Sequence, residues 1–118
     1  PDLPLWDWVD YAAVFPELDL VIHHGGMGTT HAALVYGVPQ LVVPHAGEQH
    51  LQARRVEAAG VGLSMRPAEA TPQRWQALIA ALLQEPTFRD RAQVWAQRME
   101  AAGGVEEAAA QLIESREP

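Results

Sequence analysis

The chain has 118 residues, of which 48% are apolar, enough for the core of a single domain. Its net charge of −7 makes nucleic acids and anionic membrane surfaces poor partners. The absence of cysteine excludes disulfide bonds and thiolate metal sites, and no apolar run approaches the ~20 residues of a membrane-spanning helix.

The first half of the chain predicts strands that alternate with helices. A segment rich in proline and aromatic residues, 1–18, leads into the first strand. Short apolar runs predict strands at 19–23, 40–43 and 61–64. Helices are predicted at 32–36, where Gly37 and Pro39 end the pattern, and at 48–59, where Gly60 is the expected C′ residue. This order indicates a parallel sheet with right-handed crossovers, an α/β fold of the Rossmann-like kind.

The second half predicts helices only. Thr71 followed by Pro72 is typical of an N-cap and a first helical position. The apolar residues of this helix share one face: Trp75, Leu78, Ile79, Leu82 and Leu83. Another helix is predicted to start at Thr87 and to break at Gly103-Gly104, before a last helical stripe. The bulky residues of these helices are expected in the core or in interdomain packing: Trp75, Phe88, Trp95 and Met99.

The most informative segment is His23-His24-Gly25-Gly26-Met27-Gly28-Thr29-Thr30. It places a glycine-rich turn between the end of a strand and the start of a helix. Backbone N–H groups at a helix start are unpaired and carry partial positive charge, and glycine lets an anion approach them. A phosphate is the expected ligand, and a neighbouring histidine can add another donor.

A second polar cluster, Pro44-His45-Ala46-Gly47-Glu48-Gln49, follows the second strand. Open parallel sheets bind ligands beyond the carboxyl ends of their strands. Because two neighbouring strand ends carry the two unusual clusters, the sequence predicts a single site there.

At these residues the chain resembles the C-terminal, nucleotide-sugar-binding domain of the GT-B glycosyltransferases, and above all the bacterial natural-product and sterol glycosyltransferases related to UDP-glycosyltransferases. The likeness covers roughly residues 8–65 and, more loosely, the helical tail. It is carried by motifs in a fixed order: Trp8-Val9-Asp10-Tyr11, His23 to Thr30, Gly37 to Pro44, Gly47-Glu48-Gln49 and Ala53-Arg54-Arg55-Val56.

The resemblance implies a role for each matching position. Trp8 and the Val9 backbone would contact the nucleotide base. The donor diphosphate would be bound by residues of the glycine turn: His24, Gly25, Gly26, Gly28 and Thr29. Glu48 and Gln49 would hold hydroxyl groups of the donor sugar. The family's general base is a histidine of the N-terminal domain, and no residue here matches it.

The histidines also have simpler interpretations. His23 and His24 are adjacent on a strand and point to opposite faces, so one of them is expected inside the protein. His45 and His50 could suggest a metal pair, but no third ligand has suitable spacing, and we predict no metal. His45 is instead expected at the rim of the sugar site, and His31 at the surface or against a partner.

The predicted function is donor binding within an inverting glycosyltransferase that transfers sugar from a UDP- or dTDP-sugar to an acceptor hydroxyl, without a cofactor. Residues 1–118 would form this donor domain or its larger part. The acceptor-binding N-terminal domain would lie on the same or a separate chain. Residues 1–118 alone are expected to be inactive. Two alternatives are a non-catalytic binding subunit of a split glycosyltransferase and a sugar-nucleotide epimerase-like protein. A cytoplasmic location is expected.

Overall fold

Three parallel strands form the centre of the molecule in a computed structural model, which describes the backbone of residues 11–114 and the side chains of residues 13–102. The strands are β1 (Val21–His23), β2 (Gln40–Val42) and β3 (Gly62–Ser64). The helices are α1 (Tyr11–Val14), α2 (Met27–Tyr36), α3 (Glu48–Ala59), α4 (Pro72–Gln84) and α5 (Pro86–Glu114). Two short 3-10 turns, Phe15–Glu17 and Pro67–Glu69, complete the described part of the chain.

The sheet order is β1-β2-β3, and both pairings are parallel. Ile22 lies beside Leu41, which lies beside Leu63, so the three carboxyl ends fall at one edge. All three residues of β2 are buried. Because neighbouring residues on a strand face opposite sides, both faces of the central strand are covered, as is usual for parallel sheets. The predicted α/β fold, a parallel sheet flanked by helices, is confirmed.

Two apolar clusters form the core. One joins β2 to α3 and α5 through Val42, Ala53, Val56, Val61 and Ala92. The other packs Phe15 against α2 and its C-terminal turn through Ala32, Ala33 and Val38. In each cluster, helix residues supply part of the buried apolar surface.

Several helix boundaries follow the predicted signals. Gly37 and Gly60 end α2 and α3 in the left-handed conformation, with φ of 70° and 74°. The Thr71 side chain accepts a hydrogen bond from the Arg74 N–H at 3.1 Å, as expected of an N-cap. Helix α3 has the bounds predicted from the sequence, Glu48–Ala59.

Other predictions about the helices were wrong. Helix α2 begins at Met27, so half of the glycine-rich turn is helical. Helix α5 continues through Gly103-Gly104 to Glu114, where a break was expected. A glycine costs roughly 1 kcal/mol relative to alanine in a helix, and the alanine-rich flanks on both sides are strong helix formers. Leu83 was expected on the apolar face of α4 but is 53% exposed.

No helix among the described residues is both long enough and apolar enough to cross a membrane.

Candidate functional site

The two polar loops at the carboxyl edge of the sheet meet in the structure. The His24 and His45 rings pack edge to face, with centroids 4.6 Å apart. Gly25 has a φ of 103° and lies so close to α3 that a Cβ atom there would be 2.8 Å from the Gln49 carbonyl oxygen. The close approach of the two loops therefore requires glycine at position 25. The predicted convergence of the two clusters is seen in the structure.

His23 and His24 have opposite environments, as the strand geometry predicts. The Gly25 N–H donates to His23 Nδ1 at 3.0 Å, which leaves the ring hydrogen on Nε2. That Nε2 atom pairs with the Oε1 atom of the fully buried Gln40 at 2.7 Å. His23 is thus a neutral structural histidine, and His24 is the exposed one of the pair.

Burial lowers the pKa of His23 below its usual value of 6.5; the charge of His24 acts in the same direction, and the Gln40 hydrogen bond opposes them. The folded state therefore binds fewer protons than the unfolded state in acid. The contribution of neutral His23 to the free energy of unfolding should be fully present above about pH 6.5. It should be lost as the pH drops below this value.

We expect His23→Gln to reduce the loss of folding stability in acid, because glutamine does not bind a proton in this range. Each such histidine adds a slope of up to about 1.4 kcal/mol per pH unit inside its window. Urea denaturation at pH 7.5 and pH 5.0 measures the slope, and exposed His50→Gln is the matched control. An unchanged slope in His23→Gln would show that His23 is not held neutral.

A cleft of about 770 Å³ opens at this edge of the sheet. Its walls include His24 from the end of β1, Thr29 from the first turn of α2, and His45 from the loop after β2. Pro67, Ala70 and Trp75 also line the cleft. Among the described residues that line the cleft, the titratable side chains are histidines: His23, His24 and His45. Imidazole N–H groups donate hydrogen bonds, so the cleft can receive an anion.

The N-terminal end of α2 is next to this cleft. Gly26 is the N-cap residue, and its carbonyl accepts hydrogen bonds from the N–H and the hydroxyl of Thr30, at 3.0 and 2.7 Å. The N–H groups of Met27 and Gly28 have no carbonyl one turn back within the helix. Gly28 and Thr29 belong to this first turn, where the helix dipole favours negative charge.

Gln49 has a structural function that the sequence did not indicate. Its Oε1 atom accepts hydrogen bonds from the backbone N–H groups of His45 and Ala46, at 2.8 and 3.3 Å. This fixes the loop before α3, and the Nε2 group of the same amide can still donate to a ligand. Glu48 is exposed at the first position of α3.

The other predicted residues have mixed outcomes. Trp8 and Val9 lie outside the described residues. Trp75, expected in packing, lines the cleft. His31 is half-buried in a separate cleft of about 570 Å³ beside Trp95, and burial lowers its pKa. In the described part of the chain, no three histidine or carboxylate side chains come together as metal ligands.

Comparison with known proteins gives the class to which this fold and site belong. Elloramycin glycosyltransferase ElmGT of Streptomyces olivaceus is 39% identical over 112 residues, which are 95% of this chain and 28% of ElmGT. The structure of glycosyltransferase VinC in complex with dTDP matches with a TM-score of 0.75 at 31% identity, over 92% of this chain and 27% of VinC. Spinosyn rhamnosyltransferase SpnG complexed with thymidine diphosphate matches with a TM-score of 0.73 at 30% identity, over 79% of this chain and 26% of SpnG.

The fold is that of the C-terminal domain of GT-B glycosyltransferases, as the resemblance implied. More narrowly, the chain belongs to the family of the erythromycin biosynthesis protein CIII-like C-terminal domain, whose sequence model matches residues 1–115. The chain spans little more than a quarter of the length of the three relatives named here: 28% of ElmGT, 27% of VinC and 26% of SpnG.

Proposed function

We propose that this chain is the donor-binding part of an inverting glycosyltransferase that takes a UDP- or dTDP-sugar and transfers the sugar to an acceptor hydroxyl. The observation that carries the proposal is the cleft in which exposed His24 and the first turn of α2 lie at the carboxyl edge of the sheet. The complexes of VinC with dTDP and of SpnG with thymidine diphosphate support a nucleoside diphosphate as the ligand class.

The chemical task of such a site is to stabilise the leaving group. As the bond between the anomeric carbon and the diphosphate breaks, negative charge grows on the departing oxygen. Donors that already point at this position stabilise the transition state more than the ground state. His24 and the N–H groups near Gly28 and Thr29 would supply these donors, with Gly25 and Gly26 giving close access to the backbone.

The sugar would lie toward the start of α3. Glu48 is exposed there, and the Gln49 Nε2 group can donate while its Oε1 holds the loop. A carboxylate and an amide together can pair with the donors and acceptors of sugar hydroxyls. Trp8 and Val9 remain the residues proposed for the base.

The proposed domain covers residues 1–118, the donor-binding domain or its larger part. The relatives support this division, because ElmGT is aligned over only 28% of its length. An acceptor-binding domain, on the same or a separate chain, would complete the enzyme.

Calorimetry with UDP and dTDP tests the phosphate contact. We expect His24→Ala to weaken binding by roughly 1.5–3 kcal/mol, the scale of a hydrogen bond to a charged group. That loss corresponds to about a tenfold to hundredfold rise in Kd. His31→Ala is the control, because His31 lines the other cleft. No loss from His24→Ala, or an equal loss from both variants, would refute the assignment of His24.

A further inference from the structure

His45 lies beside His24 in the same cleft, on a different loop. The two rings meet edge to face at an angle of 78° and a centroid distance of 4.6 Å, and both side chains are exposed. We infer that His45 is a second anion-binding residue, so that the donor diphosphate is held by two imidazoles. This inference rests on the proposed function and adds a contact that the sequence motif did not assign.

The structure holds the backbone of His45 firmly while leaving its ring exposed. The His45 N–H donates to Gln49 Oε1 at 2.8 Å. Two residues earlier, the Val43 N–H donates to the His23 carbonyl at 2.8 Å, and Pro44 between them is buried. An anchored backbone with an exposed polar ring is the arrangement expected of a ligand contact, because less freedom is lost when the ligand binds.

Among the described residues that line the cleft, no carboxylate would repel an anion. His23, the remaining histidine of the cleft, has partners on both ring nitrogens. Arg66 pairs with Glu69 at 3.6 Å, and neither residue lines the cleft. Glu48, on α3, is the exposed carboxylate that follows the His45 loop, and it does not line the cleft either.

Each imidazole has a ring N–H that can donate to a phosphate oxygen, and the two rings lie on different loops of one cleft. A diphosphate has several acceptor oxygens and can therefore accept from both rings at once. Loss of the His45 ring should weaken the binding of a diphosphate whichever nucleoside it carries.

The experiment measures Kd for dTDP, UDP and inorganic pyrophosphate at one pH. For His45→Ala we expect about a tenfold rise in each Kd, the lower end for a hydrogen bond to a charged group. His45→Lys should restore most of the affinity, because the lysine ammonium group can also donate to a phosphate. His50→Ala, exposed on α3 and outside the cleft, should leave the Kd values unchanged.

Circular dichroism melts confirm that each variant is folded. Equal Kd values for His45→Ala and the unmodified chain, with dTDP still bound, would overturn the role of His45 and leave the proposed function intact. A loss in His45→Ala that lysine does not rescue would show a structural role and also overturn the inference.

A pyrophosphate response that depends on His45, without any dTDP or UDP binding, would retain the anion pair and overturn the nucleotide function. Failure to bind any of these ligands would overturn both.

Discussion

Gly25→Ala is expected to lower the free energy of unfolding by about 2–4 kcal/mol and to abolish nucleoside diphosphate binding. The backbone at Gly25 has a φ of 103°, a region that side-chain-bearing residues rarely adopt, and the new Cβ would lie 2.8 Å from the Gln49 carbonyl oxygen. Because that oxygen belongs to the first turn of α3, relief of the clash must separate the two loops of the cleft. Urea denaturation and dTDP calorimetry measure the two effects.

Gly26→Ala is the matched control for this substitution. Gly26 has a φ of −64°, which alanine adopts readily, and a Cβ atom there would meet nothing within 4 Å. Gly26→Ala should lower the free energy of unfolding by no more than about 1 kcal/mol, the scale of a changed N-cap residue. If both variants were equally stable, the contact between the glycine turn and α3 would not hold the site together.

The strands and their order could be predicted because each strand of a parallel sheet is a short apolar run between turn residues. β2 shows this best: Leu41 and Val42 are fully buried on opposite faces. The position of the site followed from the same topology, since polar clusters that end neighbouring parallel strands must share one edge. The different burial of His23 and His24 followed from the alternation of side chains along a strand.

Features that depend on packing could not be predicted. A helical stripe indicates that Trp75 is on the apolar face of α4, but only the placement of α4 shows that this face reaches the cleft. The Gln49 contact to the His45 backbone is a loop geometry with no motif of its own. The continuation of α5 through Gly103-Gly104 depended on the balance between two helix-weakening glycines and their alanine-rich neighbours.

The 118-residue chain alone is expected to bind a nucleotide-sugar without transferring the sugar. Transfer needs a base that removes the acceptor's proton and a surface that holds the acceptor against the anomeric carbon. His23 has partners on both ring nitrogens, and we assign His24 and His45 to the diphosphate. These three are the titratable residues among the described ones that line the cleft, so none is left to act as the base there.

The measurement is mass spectrometry of a panel of acceptors incubated with the chain and a dTDP- or UDP-sugar. No glycosylated product should form above the background without protein. Product should appear when an acceptor-binding N-terminal half from a relative such as ElmGT is supplied. Calorimetry of the chain alone measures donor binding, and the combined system measures catalysis. His24→Ala should reduce both donor affinity and product formation. Efficient transfer by the chain alone would require a base and an acceptor surface within residues 1–118, and the proposed division of labour between two domains would then be wrong.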